Sequence, residues 1–574
     1  MQKLEIKDLN IHFKTEEGNF HAVKNISIKI NKGEIVGLVG ESGSGKSVTS
    51  LAIMRLLEKN ASISGEVLFD NLNLLSLTEK EMQKFRGNQI GMIFQEPMTS
   101  LNPVLKCGKQ VTESILSHQN TNQKIAKDKT IQLFEEVKLP NPEEVFNKFP
   151  HELSGGQKQR VMIAMALACD PDLLIADEPT TALDVTVQKS ILELLLKLKT
   201  ERNMSLIFIS HDLGVIGEIA DRILVMYKGE IVEEGLVKDV FLHPQHAYTK
   251  GLLACRPLPK LQLSKLPTLT DFVHFEDGKM ISSALSIGIL QEKYAISSQE
   301  IEVKRIALYQ QKPLLQIQDL KTWFPKKEVW FSQAKNFTKA VNGVSFDVYP
   351  GETFGLVGES GCGKTTLSRT ILKLIEPTSG EIIFDQQNIT QLNAKEMRPL
   401  RKNIQIIFQD PYSSLNPIKT IGETLMEPLK VHQVFKNQQQ RKDFIIDLMA
   451  KVGLQAAQFN RYPHEFSGGQ RQRVVIARAL ALQPKLIICD ESVSALDVSI
   501  QAQVLNLLKD LQQQFQLTYI FISHDMAVVK HMADRMMVMN KGEIEELGYP
   551  EEIYHQPKTA YTQKLVNAIP KGIY

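Results

Sequence analysis

The sequence GESGSGKS occupies residues 40–47, directly after the short apolar segment at 34–39, and the related GESGCGKT returns at 358–365. Both match GxxxxGK[ST], in which glycines let backbone N–H groups close around phosphate oxygens and the following helix adds positive potential at its N-terminus. A single glycine-rich turn carries little information. Two copies, each between an apolar segment and a helical pattern, predict two phosphate-binding loops (P-loops).

Three further segments recur, and in each case the second copy lies 313 residues after the first. The pairs are HELSGGQKQRV at 151–161 with HEFSGGQRQRV at 464–474, ADEPTTALDV at 176–185 with CDESVSALDV at 489–498, and FISHD at 208–212 with FISHD at 521–525. The P-loops are 318 residues apart, five more than the other pairs. Surface loops can change length by a few residues at little cost in stability. The pattern indicates duplication of a whole unit of roughly 250 residues, not a solenoid.

Each unit begins with alternating polar and apolar residues, at 4–13 and 21–30 in the first, which predicts antiparallel strands. Apolar strands then alternate with helical patterns, which predicts a mostly parallel sheet with an antiparallel β lobe and a helical lobe attached. The fold class is therefore α/β, in two tandem P-loop NTPase domains. We expect these domains at 1–255 and 313–574, and we interpret 256–312, which opens with several prolines, as a linker and extension of the first domain.

The composition is that of an ordinary globular protein, with 43% hydrophobic and 23% charged residues and a formal net charge of +2. This balance does not favour a nucleic-acid partner. The sequence shows neither an apolar run of about 18 residues nor a signal-peptide core near its start, so we expect no membrane span and no secretion. The five cysteines are widely spaced, which favours a reducing cytoplasm over disulfides, a zinc site or an iron–sulfur cluster.

Two acidic pairs, Asp177–Glu178 and Asp490–Glu491, close apolar strands that we expect beside the P-loop strands. An aspartate in that place suits Mg²⁺, and the adjacent glutamate can accept a proton from an attacking water as a γ-phosphoryl group leaves. Alone, an acid pair after a strand is usually a solvated turn. After a P-loop, the same pair indicates nucleotide hydrolysis.

The segments Ser154–Gln157 and Ser467–Gln470 both read SGGQ and precede long apolar helices. A serine at a helix start is commonly a plain cap, and a Gly-Gly pair is commonly a tight turn. Two copies, each 23 residues before an acidic pair, favour a second phosphate-binding helix terminus instead.

Together with Gln95, Gln409, the ALD turns and the SHD segments, these motifs resemble the ATPases of ABC transporters, and they do so in both halves of the chain. In that family the SGGQ helix of one domain caps the ATP that the other domain holds. The resemblance therefore implies ATP and Mg²⁺ as cofactors and a head-to-tail pairing of the two halves. Both sites are expected to hydrolyse ATP, because neither copy lacks a motif residue.

The resemblance also implies a role for each matching residue. The implied catalytic residues are Glu178 and Glu491 as general bases, His211 and His524 at the γ-phosphate, and Gln95 and Gln409 at the lytic water and the transport partner. The implied Mg²⁺ ligands are Ser47, Gln95 and Asp177 in one site and Thr365, Gln409 and Asp490 in the other. The implied ATP-binding residues are Gly40, Glu41, Ser42, Gly43, Ser44, Gly45, Lys46 and Ser47, which face Ser467, Gly468, Gly469 and Gln470, and Gly358, Glu359, Ser360, Gly361, Cys362, Gly363, Lys364 and Thr365, which face Ser154, Gly155, Gly156 and Gln157.

Three positions carry a second interpretation. The aromatic residue that stacks on adenine in this family maps to Phe13 and Phe324, although a packed strand residue explains either position as well. Cys362 lies within the second P-loop, where a small filler residue is favoured over a redox role.

A similar tail follows each core and narrows the resemblance. The tails are HPQHAYTKGLL at 243–253 and QPKTAYTQKLV at 556–566, and FQEPMTSLNP at 94–103 recurs as FQDPYSSLNP at 408–417. These segments resemble the peptide and nickel importer subfamily, with Ala247 and Ala560 in place of the second proline of its HPxHPYTxxL tail. The resemblance implies import of dipeptides or oligopeptides through two separate membrane permease subunits, with a substrate-binding protein. It places the chain on the cytoplasmic face of the plasma (inner) membrane.

The competing class is a soluble tandem ABC ATPase that acts on ribosomes or DNA without transport. Tandem ATPases of this class that act as translation factors usually carry a long charged helical linker between their domains. The types that recycle ribosomes or repair DNA carry cysteine clusters, which this sequence lacks. A regulator that only binds nucleotide is a third possibility, and the complete glutamates and histidines argue against it. The sequence does not identify the cargo.

Overall fold

A computed structural model describes residues 1–15, 18–96, 100–181, 183–257, 261–276, 279–282, 286–325, 337–494 and 496–570, with the backbone alone at 274–276 and 279–282. Parts of the ALD turns and of the segment at 94–103 lie outside these residues.

The described part of the first half contains ten strands arranged in two sheets. The strands are β1 (Gln2–Thr15), β2 (Gly18–Asn31), β3 (Ile35–Val39), β4 (Ala61–Phe69), β5 (Leu72–Asn73), β6 (Ile90–Ile93), β7 (Leu173–Asp177), β8 (Ser205–Ser210), β9 (Arg222–Tyr227) and β10 (Glu230–Leu236). The first sheet is antiparallel with the order β2-β1-β4-β5, and the second has the order β10-β9-β3-β8-β7-β6. All pairs of the second sheet are parallel except β9 with β10, as the alternation of apolar strands and helices predicts.

Helices cover the second sheet and form the attached helical lobe. The α-helices of the first half are Lys46–Ile53, Glu79–Met82, Cys107–His118, Gln123–Glu136, Pro142–Asn147, Gly155–Ala166, Val185–Arg202, Leu213–Ile219, Val237–Leu242 and Ala247–Ala254, with 3₁₀ turns at Leu74–Ser76 and Pro150–Glu152. One buried apolar cluster lies between the two sheets, and another lies between the second sheet and the helices.

The second half repeats this architecture. Its strands are β13 (Leu315–Pro325), β14 (Phe337–Val348), β15 (Thr353–Val357), β16 (Ser379–Phe384), β17 (Gln387–Asn388), β18 (Ile404–Ile407), β19 (Leu486–Asp490), β20 (Thr518–Ser523), β21 (Arg535–Asn540) and β22 (Glu543–Gly548), numbered after the linker strands β11 (Val273–Glu276) and β12 (Lys279–Ser282). Its α-helices are Lys364–Ile371, Ala394–Leu400, Ile421–Val431, Gln438–Lys451, Gly468–Leu480, Val498–Phe515, Met526–Met532, Pro550–His555 and Ala560–Ala568, with 3₁₀ turns at Ala456–Asn460 and Pro463–Glu465. The sheet orders, β14-β13-β16-β17 and β22-β21-β15-β20-β19-β18, match those of the first half strand for strand. The predicted fold class and duplication are confirmed.

The linker region forms a small packed element that rests on both halves. It contains the helices Leu269–Phe272, Ile287–Tyr294 and Ser298–Tyr309 and the hairpin of β11 and β12. Phe272 and Leu290 pack with two alanines of the first tail helix. Leu263 and Leu266 belong to the apolar core of the second half, and Asn506 exchanges two 2.8 Å hydrogen bonds with the backbone of Leu266. The domain limits at 255 and 313 stay a prediction, since the linker contributes to both cores.

Candidate functional site

The first P-loop leaves the end of β3 in the tight conformation that its glycines allow. A Cβ atom on Gly40 would lie 2.2 Å from the carbonyl oxygen of Met226, so only glycine fits this close approach to β9. Gly45 begins the next helix with a φ of 105° and no side-chain cap. The N–H groups of the first helical turn therefore remain available to an anion.

The P-loop lysine is folded back on its own loop. Lys46 is 5% exposed, and its Nζ donates hydrogen bonds to the carbonyl oxygens of Gly40 at 2.7 Å and Glu41 at 2.8 Å. Lys364 does the same in the second loop, with Gly358 at 2.7 Å and Glu359 at 3.0 Å. Each ammonium is thus held at the rim of the loop, where an anion inside the loop would meet it.

The hydroxyl after each lysine meets the aspartate that ends β7 or β19, the second strand along the sheet from the P-loop strand. Ser47 Oγ donates to Asp177 Oδ1 at 3.0 Å, and Thr365 Oγ1 lies 3.5 Å from Asp490 Oδ1. Burial raises the pKa of both aspartates to about 6. No nearby cation among the described residues returns the pKa of either carboxylate to its usual value. In each site, the hydroxyl and the buried carboxylate form a pair of oxygen donors that fits Mg²⁺. The strands that end at Asp177 and Asp490 were predicted directly beside the P-loop strands, and this was wrong: β8 and β20 lie between them. The two aspartates reach the P-loop hydroxyls across that intervening strand.

Glu178 is the meeting point of three donors in the first site. Its Oε2 accepts hydrogen bonds from Thr181 Oγ1 at 2.8 Å and Gln95 Nε2 at 3.3 Å, and it lies 3.2 Å from His211 Nδ1. Burial acts to raise the pKa of Glu178, but the hydrogen bond and charge of His211 outweigh it and lower the pKa to about 2. The carboxylate is therefore ionised at neutral pH, as a proton acceptor must be.

The second site has the same arrangement with one different partner. Glu491 Oε2 accepts from Gln409 Nε2 at 2.8 Å and lies 3.5 Å from His524 Nδ1. Lys364 Nζ approaches Glu491 Oε1 at 3.8 Å, whereas Ser494 donates to the backbone carbonyl of Glu491 and not to its carboxylate. Despite burial, these neighbours lower the pKa of Glu491.

Both glutamates have left-handed backbone conformations, with φ of 47° for Glu178 and 49° for Glu491. Such φ values cost a residue with a side chain on the order of 1–3 kcal/mol and concentrate at functional sites. The N–H of each glutamate is tied to the neighbouring strand, at Ile209 O and Ile522 O. This hydrogen bond to the neighbouring strand holds the glutamate in its left-handed conformation. The side chain of the glutamate therefore points in a different direction from that of the preceding aspartate.

The SGGQ serines act as caps of their own helices. Ser154 Oγ accepts the N–H of Gln157 at 3.3 Å, and Gln157 Oε1 accepts the N–H of Ser154 at 3.0 Å. Ser467 and Gln470 form the same capping box. The plain interpretation as a cap is therefore correct for the hydrogen bonds of both serines, and their contact with a facing nucleotide stays a prediction.

Direct contacts between the halves join each P-loop to the opposite ALD turn and the helix after it. The N–H of Ser42 donates to Asp497 Oδ2 at 3.0 Å, and Ser499 donates to the carboxylate of Glu41. In the other direction, Thr186 Oγ1 donates to Glu359 Oε1 at 2.6 Å. Thr186 and Ser499 occupy equivalent positions 313 residues apart, so the pairing is reciprocal. Sequence reasoning assigned Thr186 and Ser499 no role, although each directly follows a repeated motif, which was a usable signal.

The two SHD segments face one another across a small cavity between the halves. The cavity has a volume of 110 Å³, and its lining includes His211, His524 and the residues beside them. The described structure thus brings the acidic pairs, histidines and P-loops of both halves to a shared central region.

Each tail helix is anchored to the P-loop of its own half by a tyrosine that sequence reasoning treated only as a family marker. The buried Tyr248 accepts the N–H of Glu41 at 3.0 Å on its hydroxyl oxygen, and Tyr561 accepts the N–H of Glu359 at 3.1 Å. The glutamate of each P-loop therefore joins its own tail through its backbone and the opposite half through its side chain.

The remaining candidates lie at the periphery of these sites. Phe13 is half-buried against the core between the sheets, while Phe324 is 40% exposed near the end of β13. Cys362 is buried, and its Sγ lies 2.7 Å from where a Cβ on Gly358 would be, which agrees with the interpretation as a filler. Among the described residues, no helix combines the length and apolarity needed to cross a membrane.

Two family models match the sequence, each of them twice. The model described as "ABC transporter" matches residues 23–181 and 341–494. The model described as "Oligopeptide/dipeptide transporter, C-terminal region" matches residues 232–274 and 546–572. The second model covers the two tails that carry Tyr248 and Tyr561.

Curated relatives match almost the whole chain. The glutathione import ATP-binding protein GsiA of Pectobacterium atrosepticum is 46% identical over 575 residues, which is 99% of this chain and 89% of the relative. GsiA of Escherichia coli (strain K12) is 47% identical over 577 residues, with the same coverage. Among solved structures, the dimeric cassette MJ0796 is 31% identical, covers 41% of this chain and 98% of its own, and has a TM-score of 0.38.

Removal of the tail anchor is expected to loosen only one P-loop. Tyr248→Phe leaves the N–H of Glu41 without its acceptor in a buried place, at a cost of about 1–3 kcal/mol. Hydrogen exchange at residues 40–47 should become faster, while residues 358–365, anchored by the intact Tyr561, serve as the control within the same chain. Equal exchange before and after the substitution would show that the tyrosine does not hold the loop.

Proposed function

This chain belongs to the ABC transporter family of ATP-binding proteins, and we propose that it is the energy-coupling subunit of an importer, in which two fused domains hydrolyse ATP. The observation that carries the proposal is the completeness of both sites. Each half has a P-loop lysine, a buried aspartate beside the P-loop hydroxyl and a glutamate held by a histidine and a glutamine. The contacts between P-loops and opposite ALD turns support joint action of the halves.

The cargo of the importer is a small peptide. Two observations support this: both tails match the oligopeptide/dipeptide transporter C-terminal model, and the relatives reported above are named as glutathione import ATP-binding proteins. A peptide must cross the membrane through other subunits, so the proposal includes two integral-membrane permeases and a substrate-binding protein. The chain then works at the cytoplasmic face of the plasma (inner) membrane.

Two composite ATP sites follow from the proposal. The first joins Lys46, Ser47, Gln95, Asp177, Glu178 and His211 to Ser467, Gly468, Gly469 and Gln470, and the second joins Lys364, Thr365, Gln409, Asp490, Glu491 and His524 to Ser154, Gly155, Gly156 and Gln157. The uncapped N-termini of the helices after Gly45 and Gly363 support phosphate binding at the P-loops. Phe13 and Phe324 complete the sites as adenine-stacking residues.

Hydrolysis depends on a glutamate that accepts a proton from water. Glu178 is ionised and fixed by His211, Gln95 and Thr181, so its carboxylate can accept the proton while Lys46 faces the β- and γ-phosphates. Ser47, Gln95 and Asp177 would hold Mg²⁺, which when bound neutralises charge on the phosphate oxygens. The equivalent residues Glu491, His524 and Gln409 act in the second site.

ATP binding and release operate the subunit as a switch. An ATP clasped between a P-loop and the opposite SGGQ helix draws the halves together, and loss of the γ-phosphate lets them separate. The hydrogen bonds of Glu41 and Glu359 to the opposite half support this coupling, because they lie at the P-loops themselves.

The alternative, a soluble tandem ATPase on ribosomes or DNA, predicts a different set of partners. We expect the native chain to co-purify from detergent-extracted membranes with two integral-membrane subunits. Co-sedimentation with ribosomes or DNA, in the absence of membrane subunits, would contradict transport and favour the alternative. The relatives reported above are named for import, which supports the first outcome.

Loss of both general bases should stop ATP turnover while ATP still binds. Removing a general base typically lowers a rate by about 10²- to 10⁴-fold, so Glu178→Gln with Glu491→Gln should nearly abolish phosphate release at an unchanged ATP affinity. The matched control is Glu230→Gln with Glu543→Gln, two exposed positions that are equivalent in the halves. Undiminished hydrolysis in the first double variant would refute the catalytic assignment.

Adenine stacking can be tested with neighbouring aromatic residues as controls. Stacking of a base on an aromatic ring contributes about 1–3 kcal/mol, so Phe13→Ala with Phe324→Ala should weaken ATP binding about fivefold or more. Phe20, which pairs with Phe13 across the strands and is 57% exposed, and Phe337, 40% exposed, provide the control pair. Equal ATP affinities in the two double variants would show that Phe13 and Phe324 are packed strand residues only.

A further inference from the structure

A large cavity lies away from the proposed nucleotide sites, where the linker covers the second half. Its volume is 760 Å³, within the usual range of about 300–1,000 Å³ for ligand pockets. Three elements enclose it: the linker helix Ser298–Tyr309, the helix Val498–Phe515 and the end of the helix Met526–Met532. The proposed function leaves this cavity without a role.

Lys509 brings a cation without an acidic partner into this cavity. Its Nζ donates to the carbonyl oxygen of Leu263 at 3.1 Å, and none of the described carboxylates forms an ion pair with it. The nearby Asp534 is taken by Lys304 at 2.5 Å and by the N–H of Thr353 at 2.9 Å. Burial, and then repulsion by Lys304, lower the pKa of Lys509 to about 7, and the charge of Asp534 opposes this shift only in part, as expected for an ammonium group with too little negative charge around it.

His531 adds an unsatisfied polar group to the same lining. The side chain is 8% exposed, and its Nε2 has no hydrogen-bond partner among the described residues. Burial and the neighbouring Lys509 lower the pKa of His531 well below its usual value, so the ring is neutral and can donate one N–H. An unpartnered buried ring nitrogen costs free energy unless something in the cavity binds it.

The duplication provides an internal comparison. At the positions 313 residues earlier, Lys509 corresponds to Leu196 and His531 corresponds to Glu218. Leu196 packs against the apolar core of the first half. The fold itself therefore needs neither a lysine nor a histidine at these positions, and the pair occurs in the half that the linker covers.

We propose that this cavity is a binding site for a small organic carboxylate, whose anionic group is held by Lys509 and His531. The proposal concerns a ligand other than ATP, and it stands whatever the transported cargo is.

The donors fit a carboxylate better than a phosphate. Two other cations of the lining already have acidic partners: Lys304 pairs with Asp534, and Arg305 pairs with Glu302. The groups left for a ligand are therefore one ammonium and one neutral imidazole N–H, which match the single charge and the two oxygens of a carboxylate, whereas phosphate sites combine several cations or backbone N–H groups. The rest of the lining includes the amide side chains of Gln262, Gln311 and Gln513, which can bind the polar remainder of an organic molecule.

The site lies on elements that lead to the nucleotide sites. The helix Val498–Phe515 begins directly after Asp497, which accepts the N–H of Ser42 in the other half. The helix Met526–Met532 begins at the segment that contains His524. An occupant of the cavity therefore contacts two helices whose starts meet the ATP-site residues.

The test is calorimetric titration of the full chain with succinate, glutathione and inorganic phosphate, in the presence of saturating MgADP so that the P-loops are occupied. We expect saturable binding of succinate or glutathione. Because a hydrogen bond to a charged group contributes about 1.5–3 kcal/mol, Lys509→Leu and His531→Glu should each raise that Kd roughly tenfold or more. Both substitutions introduce the residue that the first half carries at the equivalent position.

The control is Lys265→Leu, which removes an exposed lysine that pairs with Asp510 outside this cavity; its Kd should equal that of the unchanged chain. The proposal is overturned if neither carboxylate binds, or if both cavity variants bind with unchanged Kd. It is also overturned if phosphate alone binds in a manner that depends on Lys509. Should Lys509→Leu fail to fold, His531→Glu supplies the same comparison.

Discussion

The structure depends on the close approach of each P-loop to the strand beside it. A Cβ on Gly40 would lie 2.2 Å from Met226 O, and one on Gly358 would lie 2.3 Å from Met539 O. Any side chain at these positions would displace the loop from the sheet edge. With the loop in place, the helix after it begins without a side-chain cap, and the lysine folds onto the loop carbonyls. The following hydroxyl then reaches the aspartate that ends β7, two strands along the sheet.

The P-loop glutamate connects three parts of the molecule. The backbone N–H of Glu41 is held by Tyr248 of its own tail, and its carboxylate accepts from Ser499 of the other half. Burial and the charge of Asp497 raise the pKa of Glu41 to about 7. The charge of the Glu41 carboxylate at this contact therefore changes with pH near neutrality. Glu41 therefore connects the P-loop directly both to its own tail and to the opposite half.

The two halves share an architecture but not their surroundings. The sheet orders match strand for strand, yet the linker packs on the helix Val498–Phe515 of the second half. There the sequence carries Lys509, where the first half has Leu196. Within the sites, Thr181 donates to the glutamate carboxylate while Ser494 donates to a backbone carbonyl. The two halves thus share the motif residues of both candidate sites and differ in what surrounds them.

The sequence by itself determined the duplication, the fold class and the candidate groups of both sites, because glycine spacing, strand periodicity and repeated motifs are local properties of the chain. It also determined that Asp177 and Glu178 end a strand, although the place of that strand, beyond β8 and not beside the P-loop strand, came only from the structure. Only the tertiary structure decided which residues of one half meet the P-loop of the other, that Tyr248 anchors Glu41, and that Lys509 and His531 share a cavity. Those contacts join segments that are up to 458 residues apart, and their geometry depends on how whole elements pack, which no local pattern specifies.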